Sequence, residues 1–185
     1  AFHIVGGGLA GCECAYNLAL HGFKVVLYEM RPKISTEAHA TGKLAELVCS
    51  NSLRSQEEST GPGLLKREMS ALGSLVMQAA AATLVPAGKA VAVNRELFAD
   101  YITRAVEEHP NITVRREEIT SLQDSCLQDA AAIVLASGPL TSQALSQDLA
   151  RLLGQEHLYF YDAIAPIIYA DSVNMERAFF GARYL

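Results

Sequence analysis

The order of elements at the start of the chain is the feature that most constrains its fold. Residues 2–5 are apolar and predict a short buried strand, and a glycine-rich turn over residues 6–11 follows at once. The apolar spacing from Leu9 to His21 is helical, and residues 24–29 predict a second, β-branched strand. Two strands joined through a helix lie parallel in one sheet. The sequence therefore predicts an α/β fold, Rossmann-like, with helices on both faces of a parallel sheet.

The turn carries glycines in the pattern Gly6-x-Gly8-x-x-Gly11, and Glu29 ends the second strand. The first glycine permits a tight turn, the second lets backbone approach a diphosphate, and the third lets the helix pack closely on the strand. The helix N-terminus favours phosphates, and the acid is placed to accept hydrogen bonds from ribose hydroxyls. The pattern therefore predicts a dinucleotide site. We expect its contacts from Gly6, Gly7, Gly8, Leu9, Ala10, Gly11, Glu29, Met30, Arg31, Ser137 and Gly138.

A second small-residue turn bears on which dinucleotide binds. An apolar strand over residues 131–136 runs into Ser137-Gly138-Pro139. Such a late strand and turn recur in flavoproteins built on two βαβ-type halves, where the turn passes close to FAD. The same turn is also a common connection between a strand and a helix. The likeness to flavoproteins therefore favours FAD over NAD. Because the turn is also a common connection, these residues alone leave both cofactors open.

Composition and charge exclude several classes of protein. Fifteen Lys and Arg residues against 20 Asp and Glu residues give a net charge of −5, which argues against a stand-alone nucleic-acid binder. No apolar run approaches the roughly 18 residues of a membrane-spanning helix. The apolar stretch from Leu9 to Leu20 follows a strand pattern rather than a basic start, so we do not expect it to be a signal peptide. The cysteines at positions 12, 14, 49 and 126 lack metal-ligand spacing, so we expect free thiols, no metal and a cytoplasmic location.

The remaining pattern predicts elements that continue the α/β arrangement. Residues 31–62 predict a long loop, and such a loop in a compact domain is usually either functional or disordered. We divide the chain into residues 1–93, the first part of a dinucleotide-binding domain, and residues 94–185, its continuation with the start of a second, inserted domain. The predicted helices are Leu64–Ala82, Arg95–Glu108 and Thr141–Leu153, and the further strands are 90–93, 112–115, 119–122, 158–161 and 167–169.

Cys49 lies in the long loop, within the string Leu47-Val48-Cys49-Ser50-Asn51-Ser52-Leu53-Arg54-Ser55. A cysteine near an arginine and a phosphate site can have a lowered pKa, because cations and helix N-termini stabilise the thiolate. Cys49 is therefore a candidate catalytic nucleophile. The alternative is a structural thiol, which is the role we expect for Cys12 and Cys14 on different faces of the first helix.

This string and Leu27-Tyr28-Glu29-Met30-Arg31-Pro32 carry a resemblance to a known family. The chain resembles the N-terminal part of the folate- and FAD-dependent tRNA (uracil-5-)-methyltransferases, the TrmFO family, which are relatives of the GidA proteins. The likeness spans essentially the whole chain, and the two strings are far more specific than any glycine motif. Further matching segments are residues 6–11, 45–46, 63–66, 85–88, 92–95, 137–142, 158–163 and 165–167.

The resemblance implies C5-methylation of a uridine in the T-loop of tRNA. Methylenetetrahydrofolate would supply the carbon, reduced FAD the hydride, and NADH or NADPH the electrons for the flavin. Uracil C5 becomes nucleophilic when a group adds at C6, and a thiolate suits that addition. Cys49 would either attack the base or hold the one-carbon unit at the flavin. The alternatives are the same chemistry on ribosomal RNA, a NAD(P)- or FAD-dependent oxidoreductase, and a non-catalytic dinucleotide-binding module.

Family members are much longer than this chain, so we expect a fragment that is inactive alone. Because the chain is net acidic, most of the RNA-binding surface is expected in the missing part. His39 is the histidine that the long loop offers to a ligand, and the aromatic residues 159–161 could stack on a base. The candidate phosphate contacts, each of which could equally be solvated surface, are Arg54, Lys66, Arg67, Arg115 and Arg116.

Overall fold

Seven strands and five α-helices follow one another along the part of the chain that the structure describes. The computed structural model describes residues 1–154 and 170–178. In chain order the elements are β1 (Phe2–Val5), α1 (Leu9–Leu20), β2 (Val25–Tyr28), β3 (Ser52–Ser55), α2 (Gly61–Ala71), α3 (Leu75–Ala82), β4 (Leu84–Val85), β5 (Ala90–Val93), α4 (Arg95–Glu107), β6 (Ile112–Arg115), β7 (Ala132–Leu135) and α5 (Gln143–Leu153), with short 3₁₀ turns at Ser125–Leu127 and Ala170–Ser172.

A four-stranded parallel sheet with the order β6-β2-β1-β7 forms the centre of the fold. Alternate residues of its strands point to opposite faces. Ile4 and Leu27 pack with α1, α3 and α4 in one buried cluster, whereas Val5 and Tyr28 pack on the other face against Leu145 of α5. The predicted α/β fold, with helices on both faces of a parallel sheet, is therefore confirmed.

The glycine turn between β1 and α1 depends on two close approaches of backbone. Gly6 has a φ of +111°, which L side chains rarely adopt, and a Cβ there would lie 2.5 Å from the carbonyl oxygen of Ala136. A Cβ on Gly11 would lie 1.9 Å from the carbonyl oxygen of Gly6. The third glycine thus lets the first turn of α1 sit directly on the end of β1, as the sequence pattern predicts.

A second, antiparallel sheet has the order β3-β5-β4, and α2 and α3 pack on it. Its strand β3 lies inside residues 31–62, so the prediction of a loop throughout that segment is wrong. The Asn51 carbonyl accepts the Val93 N–H at 2.9 Å, and the Asn51 side-chain amide donates to the Val93 carbonyl at 3.1 Å. These bonds align β3 with β5, and a four-residue strand of sequence SLRS gives no β-branched signal.

The single helix predicted over Leu64–Ala82 is also wrong, because the structure divides this segment into α2 and α3. Gly73 has a φ of +76°, which ends a right-handed helix. The Ser74 side chain then caps α3. Glu13 of α1 accepts the N–H of Val76 at 2.9 Å, so a carboxylate from another helix helps to start α3 where the sequence predicts continuation.

The strand predicted over residues 119–122 is absent from the structure. Its backbone donors bond to side chains instead of to a neighbouring strand. The Asp124 carboxylate accepts the Thr120 N–H at 3.1 Å, and Asp148 of α5 accepts the Leu122 N–H at 2.8 Å. Short acidic side chains compete with sheet pairing in this way.

The connection from β2 to β3 is anchored along its length. The Ala45 N–H donates to the Gly7 carbonyl at 2.8 Å, which ties the connection to the glycine turn. Near its start, the Arg31 guanidinium bonds the Glu46 carboxylate at 3.0 Å and the Thr41 carbonyl at 3.2 Å. The connection is therefore a folded part of the domain.

The other predicted elements lie close to their predicted positions. They are β1, α1, β2, β5, α4, β6, β7 and α5, and α5 ends at Gly154 in the left-handed conformation expected of a helix cap. The strands predicted at 158–161 and 167–169 lie outside the described residues. Within the described ranges, no helix is both long and apolar enough to cross a membrane.

Replacing Gly11 with Ala is expected to destabilise the fold by at least about 3 kcal/mol, because the new methyl group would overlap backbone. Gly8→Ala is the matched control, since no heavy atom lies within 4 Å of a Cβ at that position. Its free energy of unfolding should stay within about 0.5 kcal/mol of wild type. Urea unfolding followed by circular dichroism measures both variants, and equal stabilities would contradict the close packing of α1 on β1.

Glu46 makes the stability of the connection depend on pH. Burial raises the pKa of this carboxyl, but hydrogen bonds from Ala40 and Thr41 and the charge of Arg31 outweigh burial, so the pKa lies below its usual 4.5. A carboxyl with a lowered folded pKa stabilises the fold above its unfolded pKa, and this contribution is lost as pH falls through the folded pKa.

Glu46→Gln is therefore expected to lower the free energy of unfolding by about 1–2 kcal/mol at neutral pH. The difference from wild type should disappear as pH falls below 4.5 and through the lowered folded pKa. Asp100→Asn removes the exposed partner of Lys43 and should change stability by less than about 0.5 kcal/mol. A Glu46→Gln effect that is the same in acid and at neutral pH would show that the Glu46 charge does not act in this way.

Candidate functional site

A cleft of about 280 Å³ opens at the carboxyl end of the parallel sheet, where β1, β2 and β7 end. It is lined by the glycine turn after β1, by residues 28–31 at the end of β2 and by residues 136–142 after β7. Helix α1 follows β1 on one face of the sheet, and α5 follows β7 on the other face. The helices that follow the neighbouring strands β1 and β7 thus lie on opposite faces of the sheet. Open α/β sheets bind ligands at such a switch point.

The structure gathers all the predicted cofactor contacts except Gly11 around this cleft. Gly11 lies beneath the turn instead, against the carbonyl of Gly6. Gly8 faces open space, because no heavy atom lies within 4 Å of a Cβ built on it. The space in front of the first turn of α1 is therefore free.

Helix α1 differs from the other described helices at its N-terminus. Gly8 is its N-cap and supplies no side-chain hydrogen bond, so the first N–H groups of α1 have no side-chain acceptor. The remaining four helices are each capped by a side-chain oxygen. These caps are Thr60 for α2, Ser74 for α3, Asn94 for α4 and Ser142 for α5.

Glu29 uses its carboxylate to hold the glycine turn. Its side chain is buried, and its two oxygens accept the Gly7 N–H and the Arg31 N–H, each at 3.0 Å. The Arg31 guanidinium adds bonds of 2.9 and 3.2 Å to the same oxygens. Burial raises the pKa of Glu29, but these hydrogen bonds outweigh burial and lower the pKa below its usual value. The carboxylate is therefore ionised at neutral pH, and a ligand hydroxyl would share its oxygens with these donors.

Arg31 is enclosed between two carboxylates. Its side chain is 3% exposed and contacts Glu29 at 2.9 Å and Glu46 at 3.0 Å. Two anions around one buried guanidinium balance its charge within the chain. Arg116 fastens the same segment by donating to the carbonyls of Arg31 and Gly42. Arg31 lines the cleft, and a contact between it and a cofactor stays a prediction.

Cys49 is exposed next to the cleft. Its neighbour Val48 lines the cleft, whereas Cys49 itself does not. The backbone on both sides is fixed, because Ala45 bonds to the glycine turn and Asn51 bonds to β5. The thiol is therefore accessible on a short segment with anchored ends.

Two other cysteines are removed from solvent to different degrees. Cys12 is fully buried, its thiol donates to the Gly7 carbonyl at 3.3 Å, and burial followed by the charge of Glu29 raises its pKa to about 12. Burial also raises the pKa of the half-buried Cys14. Both side chains pack against the core, as the sequence predicts. Among residues 1–154 and 170–178, no group of three His, Cys, Asp or Glu side chains could hold a metal ion.

Most of the candidate phosphate-binding cations have partners in the chain itself. Arg54 lies near Lys66, whose pKa is lowered by burial and then by the Arg54 charge. Partnered cations are less available to RNA than free ones. The pairs are Lys66 with the Ser55 and Pro62 carbonyls, Arg67 with Glu58, Arg116 with Glu107, and Arg115 with Glu117 and the Tyr28 ring.

Sequence reasoning missed several residues that line the cleft and gave others little weight. Glu117 and Glu118 line it from the segment after β6, and the buried Oε1 of Glu117 accepts no hydrogen bond in the described chain. The guanidinium of Arg115 lies 3.7 Å from this oxygen. Thr36 and His39 line the cleft from the long connection, and of these residues the sequence singled out only His39. The position of Glu117 just after a parallel strand was the signal that could have found it.

Comparison with known proteins places the chain among named relatives. The family model described as glucose inhibited division protein A matches residues 1–184. A protein of Oleidesulfovibrio alaskensis named methylenetetrahydrofolate–tRNA-(uracil-5-)-methyltransferase TrmFO is 62% identical over 98% of this chain and 41% of its own length. The proteins of that name from Aquifex aeolicus and Nitratidesulfovibrio vulgaris strain DP4 are 54% and 56% identical, and the chain covers 40% and 37% of them.

A solved structure agrees with the fold. The crystal structure of Aquifex aeolicus GidA in its form II crystal has a TM-score of 0.52 and 18% identity to this chain, covering 65% of this chain and 20% of that one. At this identity the likeness supports the fold alone. The chain spans about two fifths of the length of the three named relatives. With nearly every residue matched by one family model, the chain belongs to the glucose-inhibited division protein A family, as its resemblance to the TrmFO relatives of GidA implied.

Proposed function

We propose that the chain is the dinucleotide-binding part of a methylenetetrahydrofolate- and FAD-dependent tRNA (uracil-5-)-methyltransferase. The observation that carries the proposal is the cleft at the switch point of the sheet, with an uncapped helix N-terminus facing it and Cys49 beside it. The relatives that bear this name are 62% and 54% identical to the chain. Because the chain covers only 41% and 40% of their length, the activity is proposed for the complete protein.

The residues at the cleft fit a dinucleotide by their chemistry. A diphosphate in front of Gly8 would receive the N–H groups at the start of α1, which have no side-chain acceptor. Glu29 is ionised and buried at the ribose position that the sequence pattern predicts. The Oε1 of Glu117, which accepts no hydrogen bond within the described chain, would accept an N–H or O–H of the ligand. Ser137 and Gly138 would contact the ligand from the end of β7.

FAD is proposed over NAD for two reasons. The turn Ser137-Gly138-Pro139 is typical of flavoproteins with a late strand beside the cofactor. In addition, the segment around Cys49 would have no role in a nicotinamide-dependent oxidoreductase. When bound and reduced, FAD would supply the hydride that takes the one-carbon unit to a methyl group, with NADH or NADPH as the source of electrons.

Cys49 is proposed as the catalytic thiol of this chain. Its exposure next to the cleft leaves the sulfur accessible to a base or to a one-carbon unit. As a nucleophile its thiolate would add to C6 of uracil, placing negative charge at C5 and O4, and would leave again when C5 loses its proton after alkylation. The alternative role, in which Cys49 carries the one-carbon unit at the cofactor, uses the same position.

The RNA would be bound mainly by regions outside this chain. The chain is net acidic, and most of its candidate cations have internal partners. We propose a uridine of the tRNA T-loop as the target, with ribosomal RNA as the second candidate, and a cytoplasmic location, where tRNA and folate meet. The division into residues 1–93 and 94–185, with a second domain beginning in the latter part, is kept as a proposal.

The complete protein is expected to carry flavin in nearly equimolar amount and to bind FAD more weakly when Gly8 is replaced by Ala. The added methyl group would stand in front of α1 and should weaken FAD binding by at least about tenfold. Gly61→Ala, at the start of α2 with open space around it, is the matched control and should bind normally. Flavin fluorescence titration of the apoprotein measures both. A protein that binds NAD and no flavin would refute the proposed cofactor.

Cys49→Ala in the complete protein is expected to abolish methyl transfer to uridine in tRNA while FAD stays bound. The reason is that the accessible thiol at the cleft is lost without disturbing the buried glycine turn. Cys14→Ala, on α1 and half-buried, is the control and should keep its activity. Transfer of label from the methylene group of the folate into T-loop and ribosomal transcripts measures activity and separates the two RNA substrates. Methylation at the wild-type rate by Cys49→Ala would remove the catalytic role assigned to this residue.

A further inference from the structure

Thr36 and His39 form a hydrogen-bonded pair on the wall of the cleft. Both residues line the cleft from the long connection, and both are partly buried. The Thr36 hydroxyl lies 2.6 Å from Nδ1 of His39 and accepts the backbone N–H of His39 at 3.3 Å. The imidazole is therefore held to its own backbone segment by one neighbouring side chain.

The Thr36 hydroxyl can donate to Nδ1 of His39 or accept from it, depending on the tautomer of the ring. Among the described residues, the Nδ1 contact is the one that gives the hydroxyl hydrogen an acceptor, so we assign the hydroxyl as the donor. In this assignment the neutral ring carries its hydrogen on Nε2. No hydrogen bond from Nε2 to the described part of the chain accompanies this contact. The ring thus has a free donor and lines a cleft.

Burial and the charge of Arg31 keep the His39 ring neutral near pH 7. Burial lowers its pKa, and the charge of Arg31 lowers it further, while Glu46 and Glu29 act in the opposite direction and do not cancel the shift. The same three residues hold the connection and the glycine turn together. His39 is therefore within electrostatic reach of the carboxylate that lies at the ribose position.

We propose that His39, positioned by Thr36, donates its Nε2 hydrogen to an oxygen of the adenosine diphosphate half of the bound dinucleotide. The inference rests on the proposed function, because it requires a dinucleotide in this cleft. The acceptor is assigned to the adenosine diphosphate half because the residue after His39, Ala40, donates its N–H to Glu46 at 2.9 Å, and Arg31 joins Glu46 to Glu29 at the end of β2. The flavin half would lie farther along the cleft, toward Cys49 and the turn after β7.

The test compares ligands and variants in the apoprotein of the complete protein by calorimetric titration. His39→Ala should weaken binding of both FAD and ADP by about tenfold and leave FMN binding unchanged. His39→Gln, which keeps an N–H donor at a similar reach, should restore much of the affinity. Thr36→Val, which leaves the tautomer unfixed, should weaken both ligands by about threefold, and Thr36→Ser should bind as wild type does. The melting temperature of each ligand-free variant, compared with that of wild type, shows whether the substitution has damaged the connection.

The outcomes separate this inference from the proposed function. Wild-type protein that binds neither FAD nor ADP would refute the proposed function, and the inference with it. If wild-type protein binds FAD and His39→Ala binds FAD and ADP as tightly as wild type does, the inference is overturned and the proposed function stands. A loss confined to FAD and FMN would place His39 at the flavin half and overturn the assignment to the adenosine diphosphate half. Equal losses in Thr36→Ser and Thr36→Val would overturn the positioning role of the hydroxyl.

Discussion

The architecture of the cleft depends on one buried carboxylate. Glu29 ends β2 and accepts the N–H of Gly7, which fixes the end of that strand to the glycine turn. The same oxygens hold Arg31, and Arg31 holds Glu46 and with it the long connection. Removing the Arg31 guanidinium would leave the two carboxylates without their shared counter-charge, and breaking a buried ion pair in this way typically costs roughly 3–5 kcal/mol. The strand end, the turn and the connection are therefore one unit, in which a change to one is transmitted to the others.

The same unit explains why the first N–H groups of α1 are left without a side-chain acceptor when the chain folds. Helix N-termini need acceptors, and four of the five described helices obtain one from a side chain of their own N-cap. Helix α1 begins with Gly8, which has none to offer. The adjacent acid is also engaged, because Glu29 binds Gly7 rather than the helix. Among the five described α-helices, α1 is thus the one that begins without a side-chain acceptor, and an anionic ligand in front of it would supply one.

Local rules were enough to predict the sheet and its glycine turn, since strand, turn and helix follow one another within a short stretch of sequence. The Gly6 and Gly11 contacts are set by backbone geometry and were read correctly from the pattern. The division between α2 and α3 combines a local signal that sequence reasoning passed over, Gly73 followed by the cap Ser74, with a distant one, because Glu13 of α1 accepts the first N–H groups of α3. The strand expected over 119–122 failed for the same reason, because Asp148 of α5 takes one of its donors. Side chains from distant elements thus help to set boundaries of secondary structure that local sequence propensity does not predict.

The functional residues divide along a similar line. The sequence found the glycines because their spacing is itself the signal, whereas Glu117 and Thr36 reach the cleft only through the folding of distant segments. Cys12 and Cys49 both lie near the cleft, but they differ in burial. Burial suppresses the thiolate of Cys12, which lies directly beneath the turn, by raising its pKa to about 12. Cys49 lies on a segment whose two ends are bonded to the glycine turn and to β5, so its thiol combines exposure with a fixed position, and the proposed nucleophile would need both.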